Sequence, residues 1–172
     1  MSFELSWLAI KNVNPEEVYE FYGLELTGET DMIAEDFEVS TVNLPDNWCL
    51  IYFDEFLSKS ISEAKLKALS KLGEVICCQL HEGIMASTSA SYSNGKQNWQ
   101  LAYNAQNALH NVIEKGELPT TYRAIFDKIL VNQANRLDVD YYFDIPVEMA
   151  ESLTGFKYGR ALKSQFHELE SN

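Results

Sequence analysis

At 172 residues, with 46% hydrophobic and 12% aromatic content, the chain has the make-up of a folded domain rather than an acidic disordered tail, and no apolar run approaches the ~20 residues that cross a bilayer as a helix. Its formal charge of −13 is lopsided: residues 1–58 hold thirteen Asp/Glu against one basic residue, Lys11, whereas 59–172 hold thirteen Asp/Glu and twelve Lys/Arg. A field of that sign repels nucleic acid and anionic membrane, so neither is expected as a partner, and it attracts basic proteins.

Phe3 to Lys11 alternates as a first strand, with Leu5, Trp7 and Ala9 on one face. Pro15 opens a short helix at a position where the missing N–H costs nothing. Val18, Phe21 and Tyr22 form its apolar stripe, and Glu16, Glu17 and Glu20 face water. Gly23 stops it as an αL cap, with Leu24 supplying the hydrophobic contact. Residues 25–36 are acidic and weakly patterned and read as a loop. Residues 37–44 and 48–53 read as two strands around Leu44-Pro45-Asp46-Asn47. Ser60-Ile61-Ser62-Glu63 is a capping-box pattern opening a helix that reaches Leu72, with Gly73 ending it.

Glu74 to Glu82 reads as a strand. Ile84 to Ser93 and Lys96 to Asn104 flank Asn94-Gly95, the strongest short hairpin signal. A two-residue turn sets Ala90 opposite Trp99, Thr88 opposite Leu101 and Ala86 opposite Tyr103, small against large on a core-facing side. Ser91 then faces Asn98 and Ser89 faces Gln100, so the other side is expected to be wet. Residues 105–115 are ambiguous, a short helix being one option. After Pro119 comes the best helical pattern in the chain: Tyr122, Ile125, Phe126, Ile129, Leu130, Ala134 and Leu137. Tyr141 to Ile145 reads as a short strand, and Pro146 starts a helix that Gly155-Phe156 ends. Residues 157–172 read as a further helix or a frayed tail. The strand, Pro15, Gly23, Leu24 series is echoed by a strand, Pro146, Gly155, Phe156 series. Either this marks a β–α duplication of 3–24 and 140–156, or it is the common Pro-start, Gly-stop punctuation of helices.

Chemistry-bearing residues are sparse. Cys77 and His81 share one strand face, but i and i+4 lie about 13 Å apart at ~3.3 Å per residue, too far for a thiolate–imidazole pair. Adjacent Cys77 and Cys78 point to opposite faces, and with Cys49 they read as small buried hydrophobes rather than a disulfide framework. His81-Glu82-Gly83-Ile84-Met85 begins like a zinc-protease helix but has Met85 where the second histidine belongs. Asp138, Asp140 and Asp144 are either an Mg²⁺ or acid–base set or turn and cap residues, with Asp144 placed to cap the Pro146 helix. Ser87, Thr88, Ser89 and Ser91 lack the Gly-x-Ser-x-Gly context of a nucleophile elbow. Gly73, Gly83 and Gly95 are isolated, so no phosphate loop is present. No cofactor, metal ligand or catalytic residue is expected.

The run VICCQLHEGIM at 75–85, Asn94-Gly95, Trp99, GELP at 116–119, VDYYFDIP at 139–146 and LTGF at 153–156 together resemble a group of uncharacterised bacterial proteins with no established function. In that group the first segment runs closer to two acids followed by His-Val-Met. Gly83 stands at the histidine position, so a role for that histidine is not implied for this chain. The resemblance implies a bacterial, cytoplasmic protein and no particular activity. Met1-Ser2-Phe3-Glu4 lacks the basic start of a signal peptide, which points to the cytoplasm as well.

The expected fold is one α+β domain: an antiparallel sheet around the 84–104 hairpin, with helices packed on one face. The acids of the first third are interleaved with Tyr19, Tyr22, Phe37, Trp48, Tyr52, Phe53 and Phe56. That pattern suits a non-enzymatic binding domain, an immunity- or antitoxin-like protein that engages a basic protein such as a nuclease. Glu16, Glu17, Glu20, Asp31, Glu35, Asp36 and Glu38 would steer the partner by charge, and Trp48 or Tyr52 would anchor it. The alternative is a small-molecule-binding domain or enzyme with a pocket near the strand ends, using Glu82, His81 and Asp140. A third expectation is a homo-oligomer formed through a sheet edge.

Overall fold

In a computed structural model, which describes residues 2–172, nine strands form one sheet. They are β1 (Glu4–Lys11), β2 (Leu24–Asp31), β3 (Val39–Leu44), β4 (Trp48–Phe53), β5 (Val75–His81), β6 (Ala86–Ser93), β7 (Lys96–Asn104), β8 (Ile113–Gly116) and β9 (Phe166–Ser171). Their order is β2-β9-β3-β4-β1-β5-β6-β7-β8, and every pairing is antiparallel. The helices are α1 (Pro15–Tyr22), α2 (Glu63–Leu69), α3 (Thr121–Asn135) and α4 (Asp144–Thr154), so the fold is mixed α+β. None of them is long and apolar enough to cross a membrane.

The central strands dictate the layering. In β1, Leu5, Trp7 and Ala9 point to one side and Leu8 and Ile10 to the other; in β4, Trp48, Leu50 and Tyr52 oppose Cys49, Ile51 and Phe53, and all are buried. Strands apolar on both faces need cover on both. α3 and α4 bring Tyr122, Ile129, Ile145, Val147 and Met149 to the Trp7 side, while α1 and α2 bring Val18, Leu66 and Leu69 to the Leu8 side. Helices therefore lie on both faces, not one. The uninterrupted apolar run of β4 is the physical reason.

The β6–β7 ladder departs from the expected register. Ser93 pairs with Lys96 and Tyr92 with Gln97, but a bulge between Ser91 and Tyr92 shifts the rest by one residue. Ser91 opposes Trp99, Ser89 opposes Leu101 and Ser87 opposes Tyr103. A one-residue slip exchanges the faces of a strand, so the serine face expected to be wet is buried under α4. Small side chains let the helix approach the sheet there, and Ser87 Oγ donates to the Phe143 carbonyl at 2.7 Å, tying the start of α4 down.

Local rules explain most of the ends. Asn14 caps α1 by accepting from the Glu16 N–H, Pro15 occupies its first turn, and Gly23 closes it at φ 64. α2 is capped by Ser62 rather than Ser60 and stops at Leu69, short of Leu72. Its end is taken over by the hairpin turn: the Ser70 carbonyl accepts from Asn94 N at 3.1 Å and Ser70 Oγ from Gly95 N at 2.9 Å. Residues 141–143 form a 3-10 turn instead of a strand, because Asp140 accepts from the Tyr142 N–H and curls the chain into α4. The 3–24 and 140–156 segments therefore share helix punctuation but not a strand. Asp144 is the first residue of α4, with no side-chain capping bond, because the turn through Phe143 already leads into the helix.

Two strands carried no clear signal. β2 is the sheet edge and largely exposed, so the acidic stretch read as a loop needed no alternation. β9 runs between β2 and β3 and buries only Phe166 on one side and Leu169 on the other. The tail is thus stitched into the sheet rather than frayed or helical. Residues 105–115 hold turns and the start of β8, not a helix.

Candidate functional site

The acids of the first third are uncompensated within the fold. Of the thirteen, only Glu4 has an ion-pair partner among the described residues, His81 Nε2 at 3.2 Å. Every other ion pair among the described residues joins two members of 59–172: Glu63–Lys67, His110–Asp140, Lys128–Glu148, Arg136–Asp138 and Glu151–Arg160. Four Lys/Arg of the later chain, Lys67, Lys128, Arg136 and Arg160, pair with later acids, and among the described residues none pairs with an acid of the first third.

The seven steering acids do not form one patch. Glu16, Glu17 and Glu20 are exposed on α1, which covers the Leu8 side of the sheet. Glu35 and Asp36 belong to a 3-10 turn at Ala34–Asp36 that crosses the Trp7 side, where Ala34 is buried. Asp31 ends β2 and its Oδ1 accepts from Ile33 N at 3.0 Å, shaping the turn that follows. Glu38 is exposed just before β3. Trp48 and Tyr52 are 4% and 1% exposed, because their positions in β4 face the core, so neither can anchor a partner from the surface. The exposed large apolar groups of the first third are Phe21 on α1, Leu26 in β2, Met32 and Ile33 just after it, and Leu57.

A cleft opens beside these residues. α4 lies over β5, β6 and β7, which leaves the Trp7 side of β1, β4 and β3 to be covered by irregular chain. The 32–36 turn and the 156–166 segment do this incompletely and leave a cleft of about 830 Å³. Phe3, Phe156, Phe166 and Tyr158 supply aromatic walls, and Glu4, Glu35, Asp36 and Asp54 supply carboxylates. Arg160 reaches the rim but its guanidinium is held by Glu151. At the floor is Tyr52, whose buried hydroxyl has no hydrogen-bond partner. Burial, then the nearby Glu35 and Asp54 charges, and last the approach of the Glu35 carboxylate to the hydroxyl push its pKa far up. Asp54 is itself shifted upward, by partial burial and then by the Glu35 charge. Two carboxylates thus line an apolar recess, one in the other's field, with the Tyr52 hydroxyl beneath them approached by Glu35 but without a well-formed hydrogen bond.

A second group lies at the end of β7. Tyr103 Oη donates to Asp140 Oδ2 at 2.6 Å, and Asp140 Oδ1 accepts from Tyr142 N at 3.2 Å. His110 donates its backbone N–H to Tyr103 Oη at 3.3 Å and stacks its ring on Tyr142, centroids 4.8 Å apart. Burial first, and then the bond to Asp140, push Tyr103 up to about 12. Glu82 is equally committed: Oε1 accepts from Tyr158 Oη at 2.8 Å and Oε2 from Phe3 N at 3.0 Å. His81 accepts from Gly83 N at 3.1 Å through Nδ1. His81 and Glu82 sit together at the end of β5, whereas Asp140 belongs to the Tyr103 group. The three are not one constellation, and each is tied into local structure.

The cysteines are free and buried. Burial pushes Cys77 up to about 12 and Cys78 still higher, so neither supplies a thiolate near neutrality. Among the described residues no three His, Cys, Asp or Glu side chains converge as metal ligands. Sequence reasoning named Glu35 and Asp36 but missed Asp54, Phe3, Phe156 and Phe166 as a common lining. Only the crossing of the 32–36 turn and the β9 insertion bring them together, and neither has a local sequence signature. No family model matches this chain, and no curated protein or solved structure matches it either.

Proposed function

We propose that the protein is a non-enzymatic binder of a basic protein, in the manner of an immunity or antitoxin protein that covers a cationic partner. One observation carries this reading: twelve of the thirteen acids in the first third have no ion-pair partner among the described residues, and no Lys or Arg of 59–172 pairs with any of them there. Surface charge held out of internal pairs remains available to accelerate encounter and to select the sign of the partner. Glu16, Glu17 and Glu20 steer from α1. Glu35 and Asp36, with exposed Met32 and Ile33 beside them, form the contact side. The anchoring role expected of Trp48 and Tyr52 passes to these exposed groups.

The test is affinity capture on immobilised protein at low salt with gradient elution, run beside a variant carrying Glu16→Gln, Glu17→Gln, Glu20→Gln and Glu35→Gln. One basic protein retained in stoichiometric amount, with association slowed about tenfold and a flatter salt dependence in the variant, is the expected result. A broad set of basic proteins released at modest salt, or an unchanged salt slope, overturns the reading.

A further inference from the structure

We propose that the cleft between the 32–36 turn and the 156–166 segment is a receptor for an arginine side chain presented by a basic protein, with the guanidinium held by the Glu35 and Asp54 carboxylates and the stem against Phe156 and Phe166. The identity of the donor as a protein rests on the functional reading above; the preference for a guanidinium rests on the cleft alone.

Two independent observations point to a ligand here. The first is the carboxylate pair. Glu35 and Asp54 line the same cleft, where the Glu35 charge adds to burial in raising Asp54, and neither has a cationic partner among the described residues. The cleft's own guanidinium, Arg160, is bound to Glu151 at the rim, and the fourth carboxylate, Glu4, is engaged by His81. The second is Tyr52. A side chain 1% exposed that leaves its hydroxyl without a partner is uncommon in a well-packed core. Glu35 is the nearest acceptor: its charge and its approach to the hydroxyl both raise the Tyr52 pKa, yet the contact falls short of a well-formed hydrogen bond. A cation drawn between the carboxylates pulls Glu35 inward, where it accepts from the Tyr52 hydroxyl. Tyr52 is then a positioning residue that acts through Glu35.

The walls choose between the two basic side chains. A guanidinium is planar, weakly hydrated and stacks on rings, whereas an ammonium is compact and keeps its water. The cleft offers the paired rings of Phe3 and Tyr158, centroids 5.0 Å apart, and of Phe156 and Phe166, 6.4 Å apart. Aromatic surface flanked by carboxylates suits the planar cation and its apolar stem. At about 830 Å³ the space exceeds one side chain, so the residues flanking the arginine enter with it.

Blocked amino acids test this on the full chain. Nα-acetyl-arginine N-methylamide, its lysine counterpart and its norleucine counterpart are titrated in turn while backbone amide shifts are followed by NMR. The arginine probe is expected to move the amides of Glu35, Asp36 and Asp54, with the lysine probe several-fold weaker and the norleucine probe without effect. Glu35→Gln with Asp54→Asn should weaken the arginine probe by about tenfold, and Tyr52→Phe by a smaller factor, with thermal unfolding showing all variants folded. No arginine binding, equal binding of arginine and lysine, or undiminished binding in the carboxylate variant overturns the proposal. Arginine binding without capture of any basic protein sustains the cleft and removes the functional reading. Capture that is indifferent to Glu35 and Asp54 but sensitive to Glu16, Glu17 and Glu20 does the reverse.

Discussion

Glu82 and Asp140 on one hand, and Glu35 and Asp54 on the other, are carboxylates gathered around the same side of the sheet in opposite circumstances. Glu82 accepts from the Phe3 N–H and the Tyr158 hydroxyl, and Asp140 from the Tyr103 hydroxyl and the Tyr142 N–H. Their charge is absorbed in pinning Phe3 ahead of β1, the 156–166 segment and the turn into α4. Glu35 and Asp54 accept no well-formed hydrogen bond among the described residues, and the charge of Glu35 works against that of Asp54. Tyr158 touches both groups, since it donates to Glu82 while its ring lines the cleft. The contrast separates acids that hold the fold from acids left free for something outside it, and it does so on hydrogen-bond inventory rather than on sequence position. The first kind should be costly to remove and the second costless.

The largest expected effect is at Glu82. Glu82→Ala deletes two hydrogen bonds to a charged acceptor and leaves the Tyr158 hydroxyl without its partner, a loss on the order of 3 kcal/mol in urea unfolding. Glu82→Gln keeps one acceptor oxygen and should lose about half of that. Glu35→Gln should leave the midpoint where it is. Equal sensitivity at Glu82 and Glu35 would erase the distinction.

This division was only partly legible in the residues. Pro15 and Gly23 announced α1, and Asn94-Gly95 announced the β6–β7 turn, because these residues act through their own backbone preferences and need no tertiary context. The bulge at Ser91 and Tyr92 has no such local signature, and it reversed the faces of β6. β2 escaped notice because an exposed edge strand carries no alternation, and β9 because Phe166 and Leu169 bury on opposite sides. Since the cleft exists only where the 32–36 turn and the approach to β9 meet, its lining was invisible for the same reason. Trp48 and Tyr52 face the core instead of a partner, and an aromatic among acids looks the same in sequence whether the strand is covered on one face or two.

Raising the pH attacks the buried hydroxyls and thiols, Tyr103 of the first kind of site and Tyr52 beneath the second among them. Tyr103 and Tyr92 are pushed up to about 12 and Cys49 to about 11, each chiefly by burial. A group whose proton is held more tightly folded than unfolded stabilises fully below its unfolded value and loses that contribution as the pH climbs to its folded value. Stability should therefore fall from about pH 9, where an unfolded thiol ionises, through 12. Tyrosinate absorbance should rise together with unfolding rather than ahead of it. Ionisation of Tyr103 at pH 10 in a protein still folded by circular dichroism would show that its bond to Asp140 is not maintained in solution.

Two tyrosine truncations put the same contrast on a smaller scale. Tyr103→Phe leaves Asp140 short of a donor and should cost about 1–2 kcal/mol in urea unfolding. Tyr52→Phe removes a hydroxyl that has no partner and should be neutral or slightly stabilising. A comparable loss for both would mean that Tyr52 is satisfied in the free protein, through Glu35 or water, and would place the cleft with the structural acids.

The smallest effect carries the most specific sign. Asp54 is held above its ordinary value by partial burial and by Glu35. The folded state therefore binds the Asp54 proton more tightly than the unfolded state does. Its contribution favours folding below the ordinary carboxylate value and is withdrawn as the pH rises through the raised one. At neutral pH Asp54→Asn should raise the midpoint slightly, within the roughly 0.5 kcal/mol usual for surface substitutions, and the gain should vanish in acid. A guanidinium probe should act as the substitution does, by ending the repulsion, so its stabilisation of the wild type should also grow with pH over that interval and be reduced in Asp54→Asn. Stabilisation by the probe that ignores both pH and Asp54 would mean that the cation binds elsewhere on the acidic surface and that the pair in the cleft is only a strained corner of the fold.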